Sequence, residues 1–315
     1  MKIVVLDKCT VTNGDVDLSP IEKFGQVEYY DILPKDEIIR VLQGADAVIC
    51  NKAVINREII DKTQLKFIGL FATGYNIIDI DYAKEKGIPV CNVPGYSTDS
   101  VAQLTISLLL ELAGKTSKYS SMVADGGWMK NGKVEYFKYP ITEISGKTIG
   151  IYGFGAIGSA VAKIALALGM RVIAYSRTPK EAEGVEFVTE NELFERSDFL
   201  SIHCPLTDET ARRVNERTLA LMKPTAFIIN TARGGVIDEE ALAEALNLGI
   251  IAGAALDVLT AEPMAEDCPL RNARNCIITP HIGWGSLDAR NRLISMVCHN
   301  LQAFISGEPI NVVNG

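Results

Sequence analysis

Short β-branched runs alternate with longer amphipathic stretches along the whole chain. The runs IVVLD (3–7), DAVICN (46–51), LKFIGLFA (65–72), KTIGIYG (147–153), RVIAYS (171–176), FLSIHC (199–204), AFIIN (226–230) and AALDV (254–258) predict strands. They lack a clean apolar–polar alternation, which indicates strands covered on both faces. Between them lie the helix candidates PKDEIIRVLQG (34–44), IDYAKEKG (80–87), GSAVAKIALALG (158–169) and DEEALAEALNLG (238–249). Each ends in Gly, which suits a left-handed C-cap. Strand–helix repetition of this kind predicts an α/β chain with parallel sheets and helices on both sides, and excludes all-α, all-β and repeat architectures.

Two apolar segments read as connectors: residues 99–113 after Ser97-Thr98, and residues 286–305, which Ser286 or Asp288 can cap. They predict that the chain begins one domain, crosses into a second near residue 99 and returns near 286. Two sequential domains split near residue 145 are the alternative. A length of 315 residues is enough for two domains at about 150 residues each.

The balance of 31 basic and 39 acidic side chains gives a net charge of −8, which argues against a general nucleic-acid or anionic-membrane binder. An anionic small molecule is still compatible, because a few local cations set the sign inside a cleft. Seven cysteines, Cys9, Cys50, Cys91, Cys204, Cys268, Cys276 and Cys298, are scattered and never spaced as CxxC. That pattern speaks against a disulfide framework or a structural zinc site and for a reducing cytoplasm. The apolar run in MKIVVLDK is too short for a signal peptide. No uncharged apolar stretch reaches the ~18–20 residues that span a bilayer. The expectation is a cytoplasmic protein with no metal.

Residues 153–158 read Gly153-Phe154-Gly155-Ala156-Ile157-Gly158, directly after a predicted strand and directly before a predicted helix. In this context Gly153 permits a tight turn, Gly155 lets the backbone approach a pyrophosphate, and Gly158 lets helix and strand pack closely. The helix N-terminus supplies free N–H groups and a positive dipole end. The alternative is a glycine-rich turn with no ligand. After the next strand an NAD site wants an acid for the ribose 2′-hydroxyl. This chain has Ser176-Arg177-Thr178 and no acid until Glu181. A guanidinium and two hydroxyls would hold a 2′-phosphate, which favours NADP. NAD stays possible if Arg177 stacks on adenine or sits in solvent.

Only three histidines exist, so the search for a proton donor near neutral pH is short. His299 lies in a helical run. His203 ends a predicted strand and could line the cofactor site, with no evident catalytic partner. His281 stands in the loop Thr279-Pro280-His281-Ile282-Gly283, just before the return crossing. Arg233 and Glu262 each follow a predicted strand, at the carboxyl ends where open parallel sheets bind ligands. Arginine can clamp a carboxylate or keto oxygen, and glutamate can hold an imidazole. By spacing alone, three unrelated surface residues are an equal reading.

The motifs GFGAIG, NTARGG, LDVLTAEP and TPHIGWGS, in this order, resemble the D-isomer-specific 2-hydroxyacid dehydrogenase family over essentially the whole chain, as do stretches 51–60, 71–81 and 92–105. Within it, stretches 136–158 and 281–290 look most like hydroxypyruvate reductase (glycerate dehydrogenase) members. The resemblance implies two doubly wound, Rossmann-like or flavodoxin-like domains with a cleft between them. Residues 1–98 plus 286–315 would form the substrate-binding domain, and 99–285 the inserted dinucleotide-binding domain. It implies a catalytic set of Arg233, Glu262 and His281. His281 would protonate the keto oxygen, Glu262 would orient it and keep it charged, and Arg233 would bind the carboxylate and carbonyl. Lys52, Thr73 and Gly74 would contact the substrate. Asp257 would meet the nicotinamide carboxamide, and Cys204 and Pro205 would flank the adenosine. Thr231, Ala232 and Gly283 would border the cofactor, and Thr210 would approach its phosphates or ribose. Hydroxypyruvate or glyoxylate is the expected substrate, with bulkier aromatic or sugar-derived keto acids as an alternative. A corepressor-like nucleotide-sensing protein is the non-enzymatic reading. Family members are commonly dimers, and segment 114–146, with Trp128 and Tyr136, is the expected arm.

Overall fold

The computed structural model describes residues 1–315 apart from Pro179. It divides into two compact units, Met1–Ser97 with Trp284–Gly315, and Thr98–Gly283.

The first unit holds β1 (Lys2–Val5), β2 (Gln26–Tyr29), β3 (Ala47–Cys50), β4 (Phe67–Leu70) and β5 (Val90–Cys91). They form one sheet in the order β2-β1-β3-β4-β5, every pair parallel. Successive residues of β1 and β3 point to opposite faces, and both faces are buried. Val4, Val48 and Ile68 pack in one apolar cluster, while Ile3, Val5, Ile49 and Phe67 pack in another. The missing alternation in these runs is thus the signature of two covered faces. The helix Leu287–Ile305 closes the second face with Leu293, Val297 and Leu301, one above the next at i, i+4 spacing. Of its two candidate caps, Ser286 serves: its hydroxyl accepts from the Ala289 amide at 3.2 Å.

The second unit holds β6 (Thr148–Tyr152), β7 (Arg171–Tyr175), β8 (Val185–Phe187), β9 (Phe199–Ile202), β10 (Phe227–Asn230), β11 (Gly253–Leu256) and β12 (Cys276–Ile278). Their order is β12-β11-β10-β9-β6-β7-β8, again all parallel. The helix Thr98–Gly114 packs Ala102, Leu109 and Leu112 into the cluster that contains Ile149, Ile151 and Ile229. Gly249 ends the helix Glu239–Leu248 with φ 72°, the left-handed cap its sequence predicts.

Both sheets are doubly wound. In the first the strand order reverses between β1 and β3, and in the second between β6 and β9. Loops leaving the carboxyl ends of such strand pairs diverge and leave a crevice, where ligands of this architecture bind.

Candidate active site

The loop after β6 enters the helix Ala156–Ala167 with Gly155 at its N-cap. Gly153 has φ 99°, and a Cβ there would lie 2.7 Å from the Cys204 nitrogen and 2.8 Å from the His203 carbonyl carbon. A Cβ on Gly158 would lie 2.3 Å from the Gly153 oxygen. Packing therefore requires glycine at both positions. A Cβ on Gly155 would meet nothing within 4 Å, so the protein's own packing does not demand glycine there. Bare backbone, open space and the first-turn amides of Ala156, Ile157 and Gly158 coincide at this point, which fits the phosphates of a dinucleotide.

Across the strand reversal, His203, Cys204 and Pro205 follow β9. Burial pushes the Cys204 thiol up to about 12, so it is a neutral wall group. Desolvation pushes His203 down to about 3, and its Nε2 pairs with the Ser201 hydroxyl at 2.8 Å. His203 is thus a neutral imidazole with no acid role near pH 7. The Thr210 hydroxyl is engaged in its own loop: it donates to the Pro205 oxygen at 2.6 Å and accepts from the Thr207 amide at 2.8 Å.

Beyond β7, Ser176 is half-buried, while Arg177 and Thr178 are exposed. Arg177 lies 3.2 Å from Glu209, with the two side chains 81% and 71% exposed. A pair this exposed contributes little, so the guanidinium can exchange Glu209 for a phosphate. Lys180, which no sequence motif singles out, donates to the Phe154 oxygen at 2.5 Å and ties a second cation to the glycine loop. Its sequence signal was a cation three residues beyond Arg177.

Under this loop a polar network anchors the end of β6. The Tyr152 hydroxyl donates to Glu190 at 2.6 Å, and Arg213 Nε donates to the same carboxylate oxygen at 2.6 Å. The Arg213 guanidinium holds Glu190 below the ordinary carboxyl value of 4.5, against the opposing effect of burial. A depressed folded-state value stabilises the fold above about pH 4.5, and that stability is lost as pH falls through the lowered value. Glu190→Gln is expected to cost about 1–3 kcal/mol at pH 7 and to flatten the acid limb of stability between pH 4.5 and the lowered value. Urea melts at pH 7 and pH 4 check this, and an unchanged acid limb would refute it.

The acid–base candidates lie on loops after β10 and β11. Buried Asn230, not foreseen from sequence, pins the first: its Oδ1 accepts from the Ala232 amide at 3.0 Å and its Nδ2 donates to the Arg233 oxygen at 2.9 Å. Thr231 pairs hydroxyl to hydroxyl with Thr105 of the long helix at 2.9 Å. A Cβ on Gly234 would lie 1.9 Å from the Leu259 carbonyl carbon, so the loop carrying exposed Arg233 presses against the loop carrying Glu262. Glu262 Oε1 accepts from the Leu259 amide at 3.1 Å, and Oε2 meets His281 Nδ1 at 2.7 Å. A carboxylate only accepts, so Nδ1 carries the proton toward Glu262 and Nε2 faces away from it.

His281 occupies a left-handed conformation, φ 54°, and its amide donates to the Asp257 oxygen at 2.8 Å. Asp257 is 2% exposed. Its Oδ1 accepts from the Thr279 hydroxyl at 2.5 Å and the Ile282 amide at 2.9 Å, and its Oδ2 from the Gly283 amide at 2.8 Å. In this structure Asp257 clamps the histidine loop at three points, a job its sequence neighbourhood did not suggest. The Gly283 oxygen also accepts from the Ser100 hydroxyl at 2.6 Å.

The remaining candidates belong to the first unit. Exposed Lys52 follows β3, and Thr73 and Gly74 follow the neighbouring β4. Thr73 is held by its hydroxyl on the Val93 oxygen at 2.8 Å and by Asn92 Nδ2 on its carbonyl at 2.7 Å. The amides of Thr73 and Gly74 donate to none of the described residues. Among the described residues, no cluster of His, Cys, Asp and Glu could hold a metal ion, and no helix is long and apolar enough to cross a membrane.

Comparison with known proteins places the chain in a family. The chain is 44% identical to a hydroxypyruvate reductase of Blautia hydrogenotrophica over 100% of both chains. It is 41% identical to a glyoxylate reductase of Thermococcus litoralis, over 93% of this chain and 92% of that one. Among solved structures, an acyclic imino acid reductase in complex with NADPH and D-Arg superposes with a TM-score of 0.88, at 33% identity over 99% of this chain and 100% of that one. The model of the D-isomer specific 2-hydroxyacid dehydrogenase NAD binding domain matches residues 106–283, the stretch that holds the glycine loop and the Glu262–His281 pair. The nicotinamide dinucleotide is therefore the cofactor of the second unit, and the chain belongs to the D-isomer specific 2-hydroxyacid dehydrogenase family.

Proposed function

We propose that this chain reduces a small 2-keto acid, hydroxypyruvate or glyoxylate, to the D-2-hydroxy acid, and catalyses the reverse oxidation, using NADPH in preference to NADH. The observation that carries the reading is the 2.7 Å contact between His281 Nδ1 and Glu262. It fixes the tautomer and turns Nε2 outward as the proton-transfer atom.

The dinucleotide, when bound, supplies the hydride that attacks C2 of the keto acid. His281 then delivers a proton from Nε2 to the keto oxygen, so the carbonyl gains one hydride and one proton and becomes an alcohol. In oxidation the same nitrogen takes the hydroxyl proton back. Glu262 keeps the ring from rotating and balances its charge when it is protonated. Arg233 binds the substrate carboxylate and polarises the carbonyl. The amides of Thr73 and Gly74, with Lys52, take the rest of the carboxylate. Gly153, Gly155, Ala156, Ile157 and Gly158 hold the pyrophosphate, Cys204 and Pro205 flank the adenosine, and Thr231, Ala232, Asp257 and Gly283 border the nicotinamide. Ser176, Arg177 and Thr178 take the 2′-phosphate, and Lys180 adds positive potential at that end of the loop.

We further infer a cytoplasmic homodimer. Its support is segment 114–146, where Met129, Val134 and Phe137 are 81%, 79% and 83% exposed, an apolar surface unusual for a lone chain.

Nicotinamide absorbance with hydroxypyruvate, glyoxylate, pyruvate and phenylpyruvate, each with NADPH and with NADH, tests the proposal. Turnover with hydroxypyruvate or glyoxylate is expected, and no turnover with any keto acid would overturn it. Arg177→Asp is expected to raise KM for NADPH about tenfold or more and to leave NADH nearly unaffected, since it replaces a phosphate partner with a like charge. NADH outperforming NADPH in the parent enzyme would remove the 2′-phosphate role of Arg177.

A further inference from the structure

The strand reversal of the second unit carries the glycine loop; the corresponding reversal of the first unit carries an internal anion. Asp7 follows β1 and is 2% exposed. Its Oδ1 accepts from the Asn51 amide at 2.9 Å, and its Oδ2 accepts from the amides of Lys52 at 2.8 Å and Ala53 at 2.5 Å. Three consecutive N–H groups thus converge on one carboxylate, in the manner of a backbone anion nest. Asp7 itself is held at φ 51°, ψ 35°, a left-handed conformation that aspartate tolerates and most residues do not.

A second tie closes the same two loops. Asn51 Nδ2 donates to the Thr10 hydroxyl at 2.8 Å, and that hydroxyl and the Thr10 amide reach the Asp7 carbonyl at 2.8 Å and 2.9 Å. Lys52 is the only charged side chain of the clamped tripeptide, and it is exposed. A buried carboxylate costs desolvation, which raises its pKa here despite the three amides. The arrangement spends that cost on the backbone from which Lys52 projects rather than on the core.

We propose that Asp7 is a positioning residue for substrate binding: by clamping the amides of residues 51–53 it fixes the Cα of Lys52, so that the backbone from which the ammonium reaches the substrate carboxylate is already ordered before binding. This deepens the reading above and rests on Lys52 contacting the substrate. Fixing the backbone that carries a binding side chain lowers the entropy lost on binding, and so affects KM more than kcat.

The test compares Asp7→Asn, Lys52→Met and the double variant, by steady-state kinetics with glyoxylate and by NADPH titration. Asparagine offers one acceptor oxygen in place of two, so at least one amide is left unpaired. Asp7→Asn is expected to raise KM for glyoxylate about tenfold, with kcat within about twofold and the NADPH Kd unchanged. The double variant should be no worse than Lys52→Met alone. An unchanged KM in Asp7→Asn, with KM raised in Lys52→Met, would overturn the positioning role and leave the substrate reading intact. Additive effects would overturn it too, because Asp7 would then act elsewhere. An unchanged KM in Lys52→Met would remove Lys52 from the substrate site and overturn this inference, while turnover with glyoxylate would leave the keto-acid reading standing. Should Asp7→Asn fail to fold, Thr10→Val cuts the second tie. A KM raised about threefold and not additive with Lys52→Met supports the proposal, and an unchanged KM overturns it.

Discussion

In His281→Ala, kcat for keto-acid reduction is expected to fall about 10³–10⁴-fold, while the dinucleotide binds as before. The loss follows from the ring's geometry. Nδ1 is committed to Glu262 at 2.7 Å, so Nε2 is the one nitrogen able to hand a proton outward. No other histidine can replace it: desolvation holds His203 neutral down to about pH 3, and His299 lies exposed on the helix Leu287–Ile305. Cofactor affinity should persist, because the loop's hold on Asp257 runs through Thr279, Ile282 and Gly283 and leaves out the imidazole. Fluorescence titration with the reduced dinucleotide and single-turnover kinetics separate the two effects. Unaltered turnover would remove His281 from the chemistry. Loss of cofactor binding along with turnover would instead make it a packing residue.

Gly234→Ala is expected to destabilise the second unit by about 3 kcal/mol or more and to lower kcat at least tenfold in whatever protein remains folded. The added methyl would lie 1.9 Å from the Leu259 carbonyl carbon and 2.3 Å from the Thr260 nitrogen, both backbone atoms that no rotamer change can move aside. One of two loops must therefore yield. The first carries Arg233 and is pinned by Asn230; the second carries Glu262. Urea denaturation reads the stability and steady-state kinetics the activity. A variant with parental stability and activity would show that the two loops do not depend on each other's position.

The sequence announces the interior of the fold more clearly than its borders. The eight apolar runs that predict strands correspond to β1, β3, β4, β6, β7, β9, β10 and β11, all with a strand on either side. The strands it did not announce, β2, β5, β8 and β12, are the four sheet edges. Edge strands such as QVEY and VEF are only partly covered, so polar residues dilute their apolar run, and β5 is too short at two residues to register. The site divides along a similar line. Glycine leaves a mark in sequence because no other residue fits where a Cβ would strike backbone, as at Gly153 and Gly158. The Glu262–His281 pair, 19 positions apart, was legible only through likeness to a family, since spacing alone gives no sign of contact. Asp7, Asn230 and the clamp formed by Asp257 were invisible for a different reason. Apart from the Thr279 hydroxyl on Asp257, their partners are backbone N–H and C=O groups, which nearly every residue has and which carry no side-chain signature.

The clamp at Asp257 has a bearing on how such a site drifts through mutation. The histidine loop hangs from a carboxylate at the end of β11 largely by main-chain atoms, and the Ile282 side chain, 49% exposed, takes no part in holding it. Residue identity at the loop's outer surface is thereby uncoupled from the register of His281 behind it. Substitutions that reshape that surface can accumulate one at a time, each leaving His281 where the strand put it.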